Sequence, residues 1–465
     1  MVSLGIIGIG EQTRRTHLPC VEFATELGHE ISLVAVADFA HILEARHPEV
    51  THCGHDVMRI PVPWSTPGTF TDATADKVIA DLLACGVDTV IVATEPLSHF
   101  PYVRALERAG IRYLVDKPFI CRPDISRTPA AADQAVADLN WLHTRAREQR
   151  EHGHTLGSVN ITRRFDRNLA QARHLVNESA EQTGQAVTHV SVTYCDGERR
   201  DAEGCRDQEQ HPFKYGYGGL NHSGYHAIDT AVWMSGHDFP ADEPTTIEVQ
   251  TLSRSVSDYL DLPAAQDNST PSPADARTYP TEYDSVVNVR LSRTGRVTLL
   301  SLAIIHDSTT NRRWQTAQSI DQALHLGRLS HESLTVTQGE LQTVMVRMVE
   351  IPHTAADADT VELPARISIG DITRNPLFAA QLGIPVFEQI GGPMPKRSLA
   401  ESAKWAAFRN FVAKANGEQY DSNIDMDRHV VSQLVLLLAA RSHADDGAVQ
   451  TATVLDRVDG RAEVS

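Results

Sequence analysis

The chain has 465 residues, enough for two or three domains and a sizeable core. It is 41% hydrophobic and 22% charged, as soluble globular proteins are, and 42 Lys and Arg against 60 Asp and Glu leave a formal net charge of −18. That balance disfavours a nucleic-acid or anionic-membrane partner, and with no run of about 18 apolar residues no membrane span is expected. Cys20, Cys53, Cys85, Cys121, Cys195 and Cys205 are scattered without a C-x-x-C pair, which predicts neither a disulfide framework nor a cysteine-zinc knuckle. The N-terminus "MVSLGIIGIGEQTRR" is apolar first and basic second, the reverse of a secretory signal, so the expected location is cytoplasmic.

In chain order, "SLGIIGIG" (3–10), "HEISLVAVAD" (29–38), "VDTVIVAT" (87–94) and "IRYLVDKPF" (111–119) read as buried strands. Helical patterns fill the gaps, notably "TADKVIADLLACG" (74–86) and "FPYVRALERAG" (100–110), each closing on glycine. Strands alternating with helices predict a parallel sheet covered on both faces, in a first domain over 1–154.

From about 155 the texture changes. "TLGSVNITRRF", "AVTHVSVTYC", "TTIEVQTLSRSV", "SVVNVRLS" and "RVTLLSLAII" are rich in β-branched residues and follow one another with few helices between. They predict an open, mainly antiparallel sheet in a second α/β domain over 155–465. A helix around 219–235 precedes most of them. "SLAESAKWAAFRNFVAKANG" (398–417) and "DRHVVSQLVLLLAARSH" (427–443) read as amphipathic helices, and the polar tail after 444 as frayed. Residues 262–280 are proline-rich and polar, a loop by composition.

Gly8 and Gly10 match the first two glycines of G-x-G-x-x-G at the end of the first strand, with Glu11 and Gln12 following and Thr13 in the third glycine's place. The first glycine permits a tight turn, and the second lets backbone approach a pyrophosphate seated on a helix N-terminus. Asp38 ends the second strand, 30 residues after Gly8; the usual spacing is about 20. A carboxylate there accepts from ribose hydroxyls and repels a 2′-phosphate, which favours NAD. Arg14 and Arg15 in the same turn keep NADP in play.

With "VIVATEPLSHFPYVRALERAGIRYLVDKPF" the chain resembles the glucose-fructose oxidoreductase / inositol dehydrogenase (Gfo/Idh/MocA) family of nucleotide-dependent sugar oxidoreductases. The turn Thr94-Glu95-Pro96, then His99, then Asp116-Lys117-Pro118 carry the likeness, with "RRF" (163–165) and the glycine-opened stretch at 218 as later landmarks. The likeness covers roughly 3–235. It implies a Rossmann dinucleotide-binding domain followed by an α/β domain with an open antiparallel sheet. It also implies a homo-oligomer, dimer or tetramer, associating through the outer faces of the sheets. Glu11, Gln12, Thr13, Thr94, Glu95, Pro96, His99, Asp116 and Lys117 are then cofactor-binding candidates beside Gly8, Gly10 and Asp38.

On the family helix an aspartate stands four residues before the catalytic histidine. In "GGLNHSGYHAID" (218–229) His226 takes the histidine's place, Asp229 the last acid's, and His222 stands where the aspartate is expected. Oxidising an alcohol sends a hydride to the nicotinamide and a proton to a base, for which an imidazole suits and a nearby ammonium holds the hydroxyl. By resemblance Lys117 and His226 fill those roles. His222 offers a hydrogen bond without fixed negative charge, so the relay or the substrate differs. Lys117, Arg164, His222 and His226 are the substrate-binding candidates. Gly218 and Gly219 read as a turn needing free dihedrals.

His-x-x-x-His is zinc-ligand spacing on a helix, but Ser223 stands where H-E-x-x-H has its glutamate, and no metal is expected. "HPEVTHCGHD" (47–56) reads as a histidine-rich loop. The expected activity is NAD(P)-dependent oxidoreduction at a hydroxyl or keto carbon of a sugar, cyclitol or related polyol. Two alternatives stay open: a non-catalytic nucleotide- or sugar-sensing protein, and an NAD-dependent glycosidase-type enzyme without net redox. The stretches near 122–138 and 262–280 have no counterpart in the likeness.

Overall fold

The computed structural model describes residues 1–46, 50, 57–65, 69–153, 155–196, 202–208, 211–238, 243–260, 280–306, 330–350, 366–394 and 399–454. The loop at 262–280, apart from Pro280, and His47, His52, Cys53 and His55 of the histidine-rich stretch lie outside them.

The chain divides into two compact units. The first holds Met1–Pro123, Gln134–Phe165 and Ser398–Gln433. Its sheet has six strands: β1 (Val2–Ile7), β2 (Ile31–Phe39), β3 (Met58–Val62), β4 (Thr89–Val92), β5 (Arg112–Asp116) and β6 (Gly157–Asn160). Their order is β3-β2-β1-β4-β5-β6, all parallel, with helices as crossovers. This is the doubly wound dinucleotide-binding arrangement, whose order reverses between β1 and β4. β1, β4 and the inner part of β2 are buried, as strands covered on both faces must be.

"TLGSVNITRRF" departs from expectation. Only Gly157–Asn160 is strand, it extends the parallel sheet rather than opening the antiparallel one, and Arg163–Phe165 is a 3₁₀ turn. A one-sided alternation cannot say which sheet a strand joins, since the register belongs to the neighbour. The C-terminal segment also belongs to this unit. Trp405, Phe408, Phe411 and Val412 of the helix Ala403–Ala415 pack into one cluster with Leu18, Val21 and Leu33. Lys414 fixes the segment to β6. Its ammonium donates to Gly157 O (2.8 Å), Ser158 Oγ (3.1 Å) and Asp425 Oδ1 (2.7 Å), and burial lowers its pKa against the opposing pull of Asp425, Asp427 and Glu107.

The second unit holds Asp124–Asp133, Asp166–Arg397 and Leu434–Ser465. Its sheet has nine strands: β7 (His189–Cys195), β8 (Thr245–Ser255), β9 (Glu282–Arg293), β10 (Arg296–Ile305), β11 (Ser330–Gln338), β12 (Gln342–Glu350), β13 (Arg366–Arg374), β14 (Phe387–Met394) and β15 (Gln450–Val454). The order is β14-β13-β12-β11-β7-β10-β9-β8-β15, antiparallel except where β10 runs parallel to β7. The sheet is open and mainly antiparallel, as expected. The tail after 444 is not frayed throughout, because Gln450–Val454 pairs with β8 as an edge strand.

Alternation along β7 and β10 puts Val190, Val192, Tyr194, Leu300, Leu302 and Ile304 on a buried face. The helix Tyr225–Ser235 lies across it. The other face carries the exposed apolar residues Leu252, Val286, Leu299 and Met345 among polar and charged ones that include Gln250, Asn288, Arg290 and Asp371.

Candidate nucleotide and catalytic sites

In the first unit the expected nucleotide residues converge at the C-terminal ends of the parallel strands. Gly8 has φ +90°, and a Cβ there would lie 2.5 Å from the Ala93 carbonyl oxygen. Only glycine turns this tightly against the end of β4. Gly10 is exposed and, among the described residues, has open space where a side chain would stand, a cradle that a bulky residue would fill. Thr13, wholly buried, returns its Oγ1 to Gly8 O at 2.6 Å, so the third glycine's substitute ties the helix start to the turn.

The Asp38 carboxylate closes the turn from β2, accepting from the amides of Ile9 (2.6 Å) and Phe39 (2.6 Å). Burial raises its pKa, and those two amides hold it back. Glu11 forms ion pairs with Arg14 (3.1 Å) and Arg15, so both cations already face a carboxylate. Gln12 precedes a π-helical turn over Thr13–His17, a distortion that often marks functional sites.

The Thr94-Glu95-Pro96 turn is a helix start. The Glu95 side chain accepts from the Leu97 amide at 3.0 Å, and Pro96 occupies the first turn of the helix Pro96–Ala109. His99, buried on that helix, has Nδ1 2.8 Å from Pro118 O and Nε2 3.0 Å from Thr94 O. It thereby joins the turn after β4 to the backbone beside Lys117, and burial lowers its pKa. The Lys117–Pro118 peptide is cis.

Asp116 adds two partners that sequence reasoning missed. Asn160 Nδ2 donates to its Oδ1 at 2.7 Å, and His17 Nε2 lies 3.3 Å from the same oxygen. Burial alone would raise the Asp116 pKa, but His17 and Asn160 together bring it below the ordinary carboxylate value. His17 sits four residues after Thr13 and Asn160 ends β6. Neither position carries a local motif. Arg164, expected at substrate, is buried and donates from Nη2 to Arg428 O at 3.1 Å.

In the second unit "GGLNHSGYHAID" forms a π-helical turn, Leu220–Gly224, running into the helix Tyr225–Ser235. Gly218 and Gly219 are glycine for a reason other than free dihedrals. Gly219 has ordinary helical angles, φ −53° and ψ −36°, and Gly218 has no positive φ. A Cβ on Gly218 would collide with Glu282 O, and one on Gly219 would lie 2.5 Å from both His306 Nε2 and Tyr283 O. The requirement is close approach of β9. The Glu282 carboxylate, wholly buried, accepts from the amides of Gly218 (3.0 Å) and Leu220 (3.3 Å) and so caps the turn from outside it.

Every residue of the helix Tyr225–Ser235 is buried except His226, which keeps partial exposure. Its ring lies 6.4 Å from that of Tyr194. His222 is buried among rings: His211 stacks on it at 5.1 Å, while Phe213 (4.9 Å) and Tyr217 (5.2 Å) meet it edge-on. Asp229 is wholly buried. Asn221 is also wholly buried, and its amide has no hydrogen-bond partner among the described residues. The stretch before the turn is described only in part, residues 197–201 and 209–210 lying outside. Among the described residues no group of three or more His, Cys, Asp and Glu is placed to hold a metal ion, and no helix is long and apolar enough to cross a membrane.

No protein-family model and no curated protein matches the sequence. Solved structures match over nearly the whole chain. An oxidoreductase domain protein from Kribbella flavida is 15% identical with TM-score 0.59, covering 97% of this chain and 98% of its own. Aldose-aldose oxidoreductase from Caulobacter crescentus, solved with glycerol, is 16% identical with TM-score 0.54, over 97% and 99%. WlbA dehydrogenase from Bordetella pertussis, solved with NADH and UDP-GlcNAcA, is 15% identical with TM-score 0.52, over 96% and 98%. Identities this low speak for architecture. The parallel six-stranded sheet and the nine-stranded, mainly antiparallel one make up the fold of the Gfo/Idh/MocA-type oxidoreductases.

Proposed function

We propose that this protein is an NAD-dependent oxidoreductase acting on a hydroxyl- or keto-bearing carbon of a sugar, cyclitol or related polyol, with NADP as the alternative nucleotide. One observation carries the reading: the Gly8 turn, Asp38, Thr94 and Asp116-Lys117 meet at the carboxyl ends of β1, β2, β4 and β5, flanking the reversal of strand order. Ligands of open parallel sheets bind there. The open space at Gly10 fits a pyrophosphate, and Asp38 has oxygens left for ribose hydroxyls beyond the two amides it accepts from.

A bound nicotinamide nucleotide supplies the hydride acceptor or donor. The chain supplies the rest. Lys117, between Asp116 and the His99-pinned Pro118 carbonyl, holds the reacting oxygen by its ammonium. His226, the helix's partly exposed side chain, takes or gives the proton at an imidazole nitrogen. His222, enclosed by His211, Phe213 and Tyr217, lines the substrate end of the same turn. Arg164, tied to the Arg428 carbonyl, shapes the backbone near β6 and is a weaker substrate candidate. A homo-oligomer through the outer face of the nine-stranded sheet is part of the proposal, supported by Leu252, Val286, Leu299 and Met345 on that face.

The test is a fluorescence titration of the purified protein with NADH and NADPH, followed by a polyol panel with the tighter nucleotide. Tighter NADH binding, with turnover lost on Lys117→Met at near-wild-type NADH affinity, supports the reading. Binding of neither nucleotide, with none carried through purification, defeats it. Product release from a glycoside with no net nicotinamide reduction turns it to the glycosidase-type alternative.

A further inference from the structure

Beneath the turn that carries His222 lies a buried group of polar side chains that the proposed chemistry does not use. Asp196 follows β7 directly and is 1% exposed. One of its oxygens accepts from Ser223 Oγ at 2.8 Å, and the other lies 2.6 Å from His306 Nδ1. His306 follows β10 directly and is 2% exposed. β7 and β10 are parallel neighbours with Ile305 opposite Cys195, so both residues leave the sheet at one level, side by side.

The pair and the turn are shaped for each other. The His306 ring occupies the space a side chain at Gly219 would need. The His306 amide donates to Asp284 Oδ1 at 2.6 Å, and Asp284 is paired with Arg254. A buried carboxylate is costly, and apolar residues of similar volume would hold a turn at least as well. A buried carboxylate and imidazole here, in place of apolar side chains, point to a use beyond holding the turn. A carboxylate under a proton-accepting imidazole favours its protonated form and fixes its orientation.

We propose that Asp196, held between Ser223 and His306, is a positioning residue that keeps a negative charge beneath the turn carrying His222 and His226, and so readies His226 to take a proton. The inference rests on the proposed oxidoreductase chemistry for its use but not for its existence. Among the described residues, titratable or charged groups near the pair include Tyr283, whose ring lies 5.4 Å from that of His306, with Glu282 and Asp284 on β9 and Arg254 on β8. Ser223 shares its turn with His222, and His226 stands three residues beyond Ser223 at the start of the helix.

The experiment uses the full chain, wild type and Asp196→Asn and Ser223→Ala variants, with histidine-selective NMR titration, thermal melting and steady-state kinetics. Asp196→Asn is expected to lower the His226 titration midpoint by about half a pH unit or more. It should lower kcat about tenfold or more and move the acidic limb of its pH profile, with KM and NADH affinity within about twofold. Ser223→Ala, which cuts the link and leaves the charge, should lower kcat with a smaller change in midpoint. If Asp196→Asn changes melting alone and leaves the titration and pH profile in place, the pair is a structural anchor and the inference is overturned. Should Asp196→Asn not fold, an unchanged kcat and profile in Ser223→Ala overturns it equally. A wild-type protein that binds no nucleotide refutes the functional reading, while the NMR titrations still decide this one.

Discussion

Two glycine-marked turns lead into two π-helical turns, one in each unit, and their glycines answer to opposite needs. At Gly8 and Gly10 the backbone must turn at φ +90° against the Ala93 carbonyl and then leave room, since no atom of the described residues stands within 4 Å of the Gly10 Cβ position. At Gly218 and Gly219 no positive φ is required and the room is already taken, by Glu282, Tyr283 and His306. The first turn is an open cradle and the second a filled one. Glycine is the answer both to a vacancy meant for a ligand and to a neighbour that leaves no vacancy.

The sharpest way to break this contrast is at Gly8. Gly8→Ala puts a side chain into a strained backbone and against a main-chain oxygen, so NADH affinity should fall by about 100-fold or more, with a strain cost of about 1–3 kcal/mol. Gly10→Ala, with open space and no positive φ, should leave melting unchanged yet weaken NADH, which isothermal titration would register. Equal nucleotide affinity in both variants would remove the cradle from the argument.

In the filled turn the loss should be one of stability. Gly219→Ala forces His306 or the Tyr283 carbonyl to move, and overpacking of this kind costs about 1–3 kcal/mol. Denaturant unfolding would read it, with NADH affinity unaltered. A variant as stable as wild type would mean that close approach is not what selects glycine there.

A smaller effect with a pH signature concerns Asp116. His17 and Asn160 lower its folded pKa below the ordinary 3.8, so its contribution is present above 3.8 and is lost as pH falls through the folded value. Asn160→Ala brings the two values closer. It should cost about 1 kcal/mol at neutral pH and progressively less as pH falls below the ordinary 3.8, a convergence that chemical denaturation across pH would reveal. A cost that stays constant with pH would assign Asn160 to packing rather than to the carboxylate.

The smallest effect separates structure from binding within the second turn. Asn221 is wholly buried with its amide unpartnered among the described residues, which is unfavourable by about 1–3 kcal/mol. Asn221→Leu should therefore be neutral or slightly stabilising in melting. If it also raises KM for the polyol, the amide is a substrate contact. A clear loss of stability would mean that the amide meets a buried water.

Much of the first unit was legible in the chain itself. Short apolar runs ending in glycine or acid, spaced by helical patterns, define its core strands, because a strand buried on both faces needs continuous apolar sequence. Gly8, Asp38 and the 94–99 and 116–118 motifs lie at strand ends, where backbone geometry restricts the residue types. The helix Ala403–Ala415 was equally clear, but its attachment to the first unit was not. β11 to β14 went unread. In β11 and β12 the inward residues Leu334, Val336, Val344, Val346 and Met348 keep a period of two, but the outward Met345 and the buried Glu332, Gln338 and Gln342 blur it.

What only the tertiary structure decided is the company each polar group keeps. Local spacing placed His222 and His226 on one helical stretch. Nothing local says that His222 is ringed by His211, Phe213 and Tyr217, that Glu282 caps its turn from 62 to 64 residues away, or that Asp196 meets His306 across 110. Periodicity reports which way a side chain faces because that follows from helix and strand geometry. The partner of a buried carboxylate is set by which strands become neighbours, and only the whole packed chain determines that.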